Sequence, residues 1–455
     1  MGTEGDAKAN YAETLSYLFG LQRFGIKLGL ANITSLLKHL GDPHAGLPSV
    51  HIAGSNGKGS TAAFLTSILR QAGYRVGLYT SPHLVDFSER IQVDGAVIPT
   101  DRVVEFTERI RDAVEKMTRD GELWLPSDPE VAPVGFDPQK NTITFFEFTT
   151  AMAFLHFRES KVDVAVLETG MGGRLDATNV IDPILCLITT IAPEHQQYLG
   201  KTLIQIAREK AGIIKSERPL LTAARQARVL ALFREKCREL RSPFYAWGKD
   251  FSAKELRPQL IHFRGRSHQW SELRLGLAGS HQVINASLAL AGVEVLMESG
   301  FALHEEQLRK GLAETKWPGR LELVREHPGI LLDGAHNPSA TRVLRKALQK
   351  GFPRHRLILV LGIMADKDIP KMMSDLVPLA DLVILTRPRM DRAATLEVLG
   401  AEASPFQKPV VKIAEMDQAL SGALEEAQGE DLILVTGSLF TVGEARAYLV
   451  SQGMI

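Results

Sequence analysis

The fold of this chain is decided by the stretch His51-Ile-Ala-Gly-Ser-Asn-Gly-Lys-Gly-Ser60, which continues into an apolar helical pattern over residues 61–72. This order predicts a strand, a glycine-rich loop and a helix. Glycines let backbone N–H groups converge on an anion, Lys58 adds a positive charge, and the helix N-terminus adds its dipole. The alternative is a glycine turn that Ser60 caps. Because a lysine between two glycines favours a phosphate loop, we expect a nucleoside triphosphate here, with Ser60 near a bridging Mg²⁺.

Composition narrows the possible classes of protein. The chain has 455 residues, which predicts two or three domains. Lysine plus arginine and aspartate plus glutamate both number 53, so no overall charge favours nucleic acid or an anionic membrane. Cys186 and Cys237 fit buried thiols in a reducing compartment. Residues 1–10 lack the apolar core of a signal peptide, and no window reaches the roughly 18 apolar residues of a membrane span. We therefore expect a soluble, cytoplasmic protein without nucleic-acid or membrane partners.

Short apolar runs alternate with longer helical patterns along most of the chain. This alternation predicts an α/β fold with a parallel, doubly wound sheet that helices cover on both faces. It restarts after Trp317-Pro-Gly-Arg320, which predicts a P-loop ATPase-like domain over residues 1–315 and a smaller Rossmann-like α/β domain over residues 316–455. Residues 252–277 predict antiparallel strands or a hairpin at a sheet edge, and residues 120–141 predict a long loop. Further predicted strands are Arg75–Thr80, Val162–Leu167, Leu185–Ile191, Pro219–Thr222, Ile330–Asp333, Leu357–Leu361, Leu382–Thr386 and Leu432–Thr436.

Three side chains of the first predicted domain are candidates for a metal or phosphate site. Glu168 ends an apolar strand and precedes Gly170-Met-Gly-Gly173, so it is a candidate Mg²⁺ ligand; a solvated turn acid is the alternative. His195 follows another strand, where a neutral imidazole can bind a cation or serve a structural role. Lys210 lies on an amphipathic helix and, by composition alone, is an ordinary solvated lysine.

The second predicted domain offers two more candidates. Asp333 ends a strand and precedes Gly334-Ala-His-Asn-Pro338, so it can bind a ribose hydroxyl or cap the following helix. Arg320 lies just past the predicted boundary. From there a guanidinium can reach a phosphate across an interdomain cleft and stabilise charge during phosphoryl transfer.

Taken together, these motifs resemble the folylpolyglutamate synthase/dihydrofolate synthase family of the Mur ligase superfamily. They follow the family's order and span nearly the whole chain. The resemblance rests on Ala53–Ser60, Ser81-Pro-His83, Thr144-Phe-Phe-Glu-Phe148, Glu168–Asn179, Glu209-Lys-Ala-Gly212 and Asp333–Pro338. One departure is Pro193-Glu194 before His195, where members of the family often have Asp.

The resemblance implies a role for each matching residue. The implied ATP site consists of Ser55, Asn56, Gly57, Lys58, Gly59, Ser60, Asn285, Arg320 and Asp333. Implied Mg²⁺ ligands are Ser81, Glu168 and His195, and Lys210 is implied to be a CO₂-derived carbamate that binds a second Mg²⁺. The implied pterin-side pocket consists of Thr144, Phe145, Phe146, Glu147, Leu175, Asp176 and Ala177, with Asp176 as a hydrogen-bond partner of the pterin ring. His336 is implied to lie near the amino-acid end of the cleft.

The implied reaction is ATP-dependent amide formation by a monomer. A carboxylate of dihydropteroate or of a folate attacks the γ-phosphate of ATP, and L-glutamate then displaces phosphate from the acyl phosphate. Lys58, Lys210 and His336 are the implied catalytic residues. A folylpolyglutamate synthase without the dihydropteroate activity is the nearest alternative. A peptidoglycan-precursor Mur ligase would need a nucleotide-sugar domain before the phosphate loop, and we expect the stretch before the loop to be too short for one. A P-loop switch protein would need the motif Asn-Lys-x-Asp, which the sequence does not contain.

Overall fold

The computed structural model describes residues 4–25, 27, 29–123 and 143–455. Two predicted segments therefore lie partly outside the described residues. They are the loop over residues 120–141 and residues 1–10, which lack the apolar core of a signal peptide. The described chain forms two large sheets, each between layers of helices, and one small antiparallel sheet. The predicted α/β class is confirmed. All of the predicted parallel strands are present, with ends shifted by at most three residues.

The first sheet has eight strands in the order β4-β3-β2-β5-β1-β6-β7-β8. The six strands from β2 to β8 are parallel, whereas β3 and β4 form an antiparallel extension that the sequence analysis did not predict. The central strands β1 and β5 are buried along their whole length, as continuous apolar runs in a parallel sheet require. The strands are β1 Ser49–Ala53, β2 Val76–Tyr79, β3 Ile91–Val93, β4 Ala96–Val97, β5 Val164–Glu168, β6 Leu185–Ile188, β7 Leu220–Thr222 and β8 Phe244–Ala246.

Helices cover both faces of this sheet. On one face α3, α9 and α10 enclose a core with β1, β2, β5 and β6, and on the other α1, α2, α4 and α5 enclose a second core. The pair α7 and α8 packs beside β6 and β7. The helices are α1 Glu4–Gly20, α2 Ala31–His39, α3 Lys58–Gln71, α4 Thr100–Arg119, α5 Phe145–Glu159, α6 Gln196–Leu199, α7 Leu203–Ala211, α8 Ala227–Glu239, α9 Ser280–Glu298 and α10 Glu305–Glu314.

The strands predicted over residues 252–277 form a sheet of their own. They are β9 Ser252–Arg257, β10 Leu260–Arg264 and β11 Gln269–Arg274, all antiparallel. The prediction of antiparallel strands is confirmed, but their placement at the edge of the large sheet is wrong. The apolar side chains of this small sheet, Ile261, Phe263, Trp270 and Leu273, belong to the core that surrounds α9. Covering this mainly apolar helix buries more apolar surface than extending an edge of the large sheet.

The second large sheet has six strands in the order β12-β13-β17-β14-β15-β16, and all but β12 are parallel. Its two faces form separate cores with α11–α13 and with α14–α15. The elements are β12 Glu322–Glu326, β13 Gly329–Leu332, α11 Pro338–Gly351, β14 Leu357–Leu361, α12 Ile369–Leu376, β15 Leu382–Leu385, α13 Leu396–Ala403, β16 Val410–Lys412, α14 Met416–Glu426, β17 Leu432–Thr436 and α15 Leu439–Ser451. Among all the described helices, none is both long enough and apolar enough to cross a membrane.

The strand order fixes where a ligand can bind. The chain leaves β1 toward β2 on one side of it and later enters β6 on the other side. In open parallel sheets, the crevice at such a reversal lies beyond the carboxyl ends of the strands. Lys58 begins α3 just after β1, Glu168 ends β5, and His195 and Asp333 follow β6 and β13. The predicted site residues therefore share one side of the molecule.

Candidate functional site

The loop after β1 has the geometry of a phosphate loop. Gly57 has φ +90° and precedes α3, which begins at Lys58. The Lys58 Nζ donates to the Gly54 carbonyl at 3.0 Å and lies 3.8 Å from Glu168 Oε1. The Ser55 hydroxyl donates to the Ala192 carbonyl and accepts from the Ala192 amide, both at 3.0 Å. The lysine is thus held at the start of a helix, where an anion benefits from both the charge and the helix dipole.

Close packing against α9 and the interdomain segment makes the loop glycines necessary. A Cβ added at Gly57 would lie 2.3 Å from Asn285 Oδ1, and one added at Gly59 would lie 2.9 Å from Trp317 Nε1. Asn285 donates to Gln282 Oε1 at 2.8 Å, and Gln282 donates to the Ser60 hydroxyl at 3.3 Å. The structure therefore brings the predicted ATP residue Asn285 beside the loop. Gln282 and Trp317 were not predicted, because nothing in their local sequence marks them.

The second large sheet contributes the opposite wall of the site. Asn337 Nδ2 donates to Asn56 Oδ1 at 3.0 Å, which joins the phosphate loop directly to the start of α11. Asn337 is also the N-cap of α11, since its Oδ1 accepts from the Ala340 amide. The capping role considered for Asp333 thus belongs to Asn337. Asp333 instead accepts from the Leu321 and Ala335 amides, each at 3.0 Å.

Arg320 is placed between the two walls. Burial raises the pKa values of Asp333 and Glu168, and the positive charge of Arg320 opposes that rise. Arg320 therefore lies near both acids. The His336 ring contacts the Gly334 carbonyl at 2.9 Å through Nδ1. Burial lowers the pKa of His336 to about 4; the hydrogen bond with the Gly334 carbonyl opposes this effect, and the Arg320 charge adds to it. His336 is therefore neutral at physiological pH and is suited to hydrogen bonding rather than to holding a proton.

Glu168 is a buried carboxylate that lacks full compensation. Burial raises its pKa, and Lys58, Arg320 and a hydrogen bond from the Ser81 backbone oppose that rise. A carboxylate in this state gains free energy when a cation binds to it. Ser81 is held next to Glu168 by the backbone contact, so two of the predicted metal ligands lie side by side.

His195, Glu194 and Lys210 form the third part of the site. Lys210 is 1% exposed, and its Nζ lies 2.5 Å from Glu194 Oε1. Burial lowers the pKa of Lys210 and outweighs the opposite effect of Glu194. Burial alone would raise the pKa of Glu194, but the Lys210 and Lys58 cations hold it at about 2. His195 has φ +42° at the start of α6, and burial lowers its pKa, so the ring is a neutral potential ligand.

The chemistry of the predicted donor set fits Mg²⁺. A hydroxyl and a carboxylate are oxygen ligands that Mg²⁺ prefers, and a bound cation would oppose the effect of burial that raises the pKa of Glu168. In the described part of the chain, however, the one group of three His, Cys, Asp or Glu ligand atoms within 4.8 Å is His39, Asp120 and Glu122, which contains none of the predicted ligands. Of the predicted ligands only Glu168 and His195 are among these residue types, so the predicted set could not form such a group by itself.

The predicted pterin-side segments pack against each other. Thr144 and Glu147 form the capping box of α5, and Glu147 Oε2 accepts from both the Thr144 amide and hydroxyl. A Cβ added at Gly170 would lie 2.6 Å from Phe146 Cζ, so α5 begins against the glycine turn. Phe145 stacks 6.0 Å from the Phe19 ring. Glu147 is therefore occupied as a helix cap, while Phe145 and Phe146 are half-buried beside the turn.

Asp176 is held by a chain of hydrogen bonds that was not predicted. Its carboxylate accepts from the Met171 amide at 2.9 Å and from the Thr178 hydroxyl at 2.6 Å. Thr178 Oγ1 in turn lies 2.8 Å from His51 Nε2. Burial lowers the pKa of His51 to about 3, so the ring is neutral and donates its Nε2–H to the threonine. Leu175 is half-buried and Ala177 is buried on either side of Asp176.

Comparison with known proteins agrees with this arrangement. Residues 110–293 match the family model described as Mur ligase middle domain, and residues 319–439 match the one described as Mur ligase, glutamate ligase domain. The chain is 34% identical to the dihydrofolate synthase/folylpolyglutamate synthase of Bacillus subtilis, over 96% of this chain and 99% of that protein.

Two solved structures superpose on nearly the whole chain. Folylpolyglutamate synthase of Mycobacterium tuberculosis, complexed with ADP, gives a TM-score of 0.87 at 32% identity over 97% of this chain and 98% of that chain. FolC of Escherichia coli, in complex with DHPP and ADP, gives 0.84 at 30% identity over the same shares. Fold and site together define an ATP-dependent ligase of the Mur ligase superfamily. Within it, the chain belongs to the folylpolyglutamate synthase/dihydrofolate synthase family.

Proposed function

We propose that this enzyme joins L-glutamate to dihydropteroate and to the γ-carboxyl group of folates. The observation that carries the proposal is the hydrogen bond from Asn337 to Asn56, which brings the phosphate loop next to the segment that follows Asp333. Asp176 lies at the same edge of the first sheet. A carboxylate bound near Asp176 would therefore meet the γ-phosphate of an ATP bound at Lys58. The comparisons support this, since the relative from Bacillus subtilis carries both activities in its name.

The reaction has two balanced steps. A substrate carboxylate oxygen attacks the γ-phosphorus, the bond to the β-phosphate oxygen breaks, and ADP leaves. The unprotonated amine of glutamate then attacks the acyl carbon, phosphate leaves, and the amide nitrogen loses a proton. Negative charge grows on the transferring phosphoryl group, so Lys58 and Arg320 stabilise the transition state electrostatically. Neutral His336 would orient the glutamate through hydrogen bonds. Bound Mg²⁺ would neutralise phosphate charge, and Ser81, Glu168 and His195 would hold it.

Lys210 would act as a carbamate rather than as an ammonium ion. Its free amine attacks CO₂, a proton is released, and an anionic carbamate results. Burial favours this reaction because it lowers the pKa of Lys210. Glu194 lies 2.5 Å from the amine, so the carbamate and this carboxylate would be two neighbouring anions that could hold a second Mg²⁺, which would offset their charge. The ordinary solvated lysine considered from composition does not agree with a side chain that is 1% exposed.

The proposal also covers the domain boundaries, the cellular compartment and the oligomeric state. Separate domains over residues 1–315 and 316–455 are supported by the end of α10 at Glu314 and the start of β12 at Glu322. Two buried, unpaired cysteines support residence in the reducing cytoplasm. A monomer is proposed, and light scattering at working concentration tests it.

Measuring ADP release separately with dihydropteroate and with tetrahydrofolate, each with and without glutamate, tests the function. Glutamate-dependent ADP release with both acids is expected. Release with tetrahydrofolate alone would favour the monofunctional alternative. Equal ADP release with and without any acid substrate would contradict a ligase and favour a nucleotide hydrolase. Release that requires a different acid would indicate another Mur-type amino-acid ligase.

A further inference from the structure

Arg90 is a buried cation without an acidic partner. It ends the 3₁₀ helix Phe87–Arg90, immediately before β3, and is 6% exposed. Its Nε donates to His83 Nδ1 at 2.8 Å, which is the only side-chain hydrogen bond that Arg90 makes within the described residues. No carboxylate in that part of the chain lies within 4.0 Å of its guanidinium. Buried guanidinium groups are normally paired, because an unpaired buried charge is costly. Within the described residues, the Arg90 guanidinium therefore lacks the anionic partner that a buried cation normally has.

The neighbours of Arg90 place it between two parts of the candidate site. His83 belongs to the Ser81–His83 loop, which lies on the metal side. The Arg90 Cζ lies 5.1 Å from the centre of the Phe145 ring, on the pterin side. Glu168 and Tyr79 lie near enough to Arg90 to affect its pKa. Asp176 in turn lies near enough to Tyr79 to affect the pKa of the Tyr79 hydroxyl. A substrate that extends from the pterin side toward the phosphates would pass this guanidinium.

The local geometry leaves the guanidinium ready to bind an anion. A guanidinium N–H can only donate, so His83 accepts the Arg90 Nε–H through its Nδ1 at 2.8 Å. The contact with His83 and the Phe145 ring fix the plane of the guanidinium, while the terminal Nη groups stay available. A planar guanidinium with free Nη donors matches a carboxylate in a bidentate arrangement.

We propose that Arg90 binds a carboxylate of the pterin-containing acid substrate, an inference that rests on the proposed function. Two carboxylates have the required chemistry. One is the group that reacts with ATP, which dihydropteroate and folates both carry. The other is the α-carboxylate of the glutamate that only folates carry. Comparing the two substrates separates these sources.

The test compares the binding of dihydropteroate with that of its carboxamide, in the presence of ADP. Dissociation constants are measured by titration calorimetry for the wild type, Arg90→Gln, Arg90→Lys and the exposed control Arg238→Gln. The wild type and the control should prefer the carboxylate by about tenfold or more, as expected for a charge-assisted bidentate contact. Arg90→Gln should lose that preference, and Arg90→Lys should keep part of it. The affinity for ADP and the thermal midpoint serve as the readouts of folding.

Repeating the titration with tetrahydrofolate and its α-carboxamide identifies the carboxylate. A preference lost only in the folate pair assigns Arg90 to the α-carboxylate, and one lost in the dihydropteroate pair assigns it to the reacting group. If Arg90→Gln or Arg90→Lys keeps the full wild-type preference for the carboxylates in both pairs, the inference is wrong. The same holds if the wild type binds acid and amide equally in both pairs. If Arg90→Gln fails to bind ADP, that variant is not folded, and the preference of Arg90→Lys for the carboxylate tests the inference instead. A wild-type enzyme that binds no pterin in either form would instead contradict the proposed function.

Discussion

At the scale of single residues, the site depends on a few buried polar contacts whose loss should have separable effects. Thr178 is an example, since its hydroxyl accepts from His51 and donates to Asp176. Burial raises the pKa of Asp176, and the hydrogen bond from the Thr178 hydroxyl opposes that rise more than any other contact does. Removing that bond should raise the pKa of Asp176 further and loosen its orientation.

We expect Thr178→Val to increase the KM for dihydropteroate about tenfold, which corresponds to one lost hydrogen bond to a charged group. The KM for ATP should change little. If the ionised Asp176 is the active form, activity is present above its pKa and is lost as the pH falls through it. A higher pKa should therefore move the acid limb of kcat/KM to higher pH. Thr178→Ser keeps the hydroxyl and should resemble the wild type; an equal loss in both variants would point to packing instead.

Lys210 provides the second residue-scale prediction. If a carbamate forms there, removing CO₂ should lower activity and bicarbonate should restore it, because a lowered pKa supplies free amine at neutral pH. Lys210→Ala should lose activity by about a hundredfold or more, since metal and charge placement at the phosphates is disturbed. Acetate should restore part of the activity of Lys210→Ala, and bicarbonate should not. Full activity of the wild type in CO₂-free buffer would contradict the carbamate.

At the scale of elements, the junction between β1 and α3 combines a left-handed backbone with close packing. Gly57 has φ +90°, and an added Cβ would lie 2.3 Å from Asn285 Oδ1. Gly73, two residues past the end of α3, has a similar φ of +86° but has no atom within 4 Å of an added Cβ. The two positions therefore form a matched pair that separates backbone strain from crowding.

We expect Gly73→Ala to lower the free energy of unfolding by about 1–2 kcal/mol, the cost of a left-handed conformation for a residue with a Cβ. Gly57→Ala should lower it by more and should also weaken the binding of an ATP analogue, because Asn285 must move. Denaturant unfolding and titration calorimetry measure the two effects. Equal nucleotide affinity in both variants would show that the contact with Asn285 does not shape the loop.

The same elements show what sequence patterns can and cannot predict. Buried parallel strands such as β5 and β14 are continuous apolar runs, so their positions were predictable. The phosphate loop and Glu168 were predictable because their signals are local. The pairs His51–Thr178 and Asn56–Asn337 are 127 and 281 residues apart, so no local pattern records them. The position of the small antiparallel sheet depended on α9, which is buried along most of its length and is another long-range partner.

At the scale of the whole molecule, the two large sheets are joined at the site by the amide of Asn337. Asn337→Asp keeps the N-cap acceptor of α11 but replaces the donor to Asn56 with a second oxygen. We expect the KM for ATP to rise several-fold while the thermal midpoint stays nearly unchanged, because repulsion opens the cleft without removing the cap. Asn337→Ser, which can cap but is too short to reach Asn56, is the control. A large fall in the midpoint of Asn337→Asp alone would show that the cap was disturbed instead.

The helix α9 has a consequence that reaches beyond the active site. It is buried along most of its length, packs on the first sheet, on α3 and on the small antiparallel sheet, and places Gln282 and Asn285 against the phosphate loop. Its amide hydrogens should exchange with deuterium only when the entire first unit unfolds, so they should be the slowest to exchange in the protein. The nucleotide-binding loop is then attached to the least fluctuating segment of the chain, which gives it a constant shape whether or not nucleotide is bound.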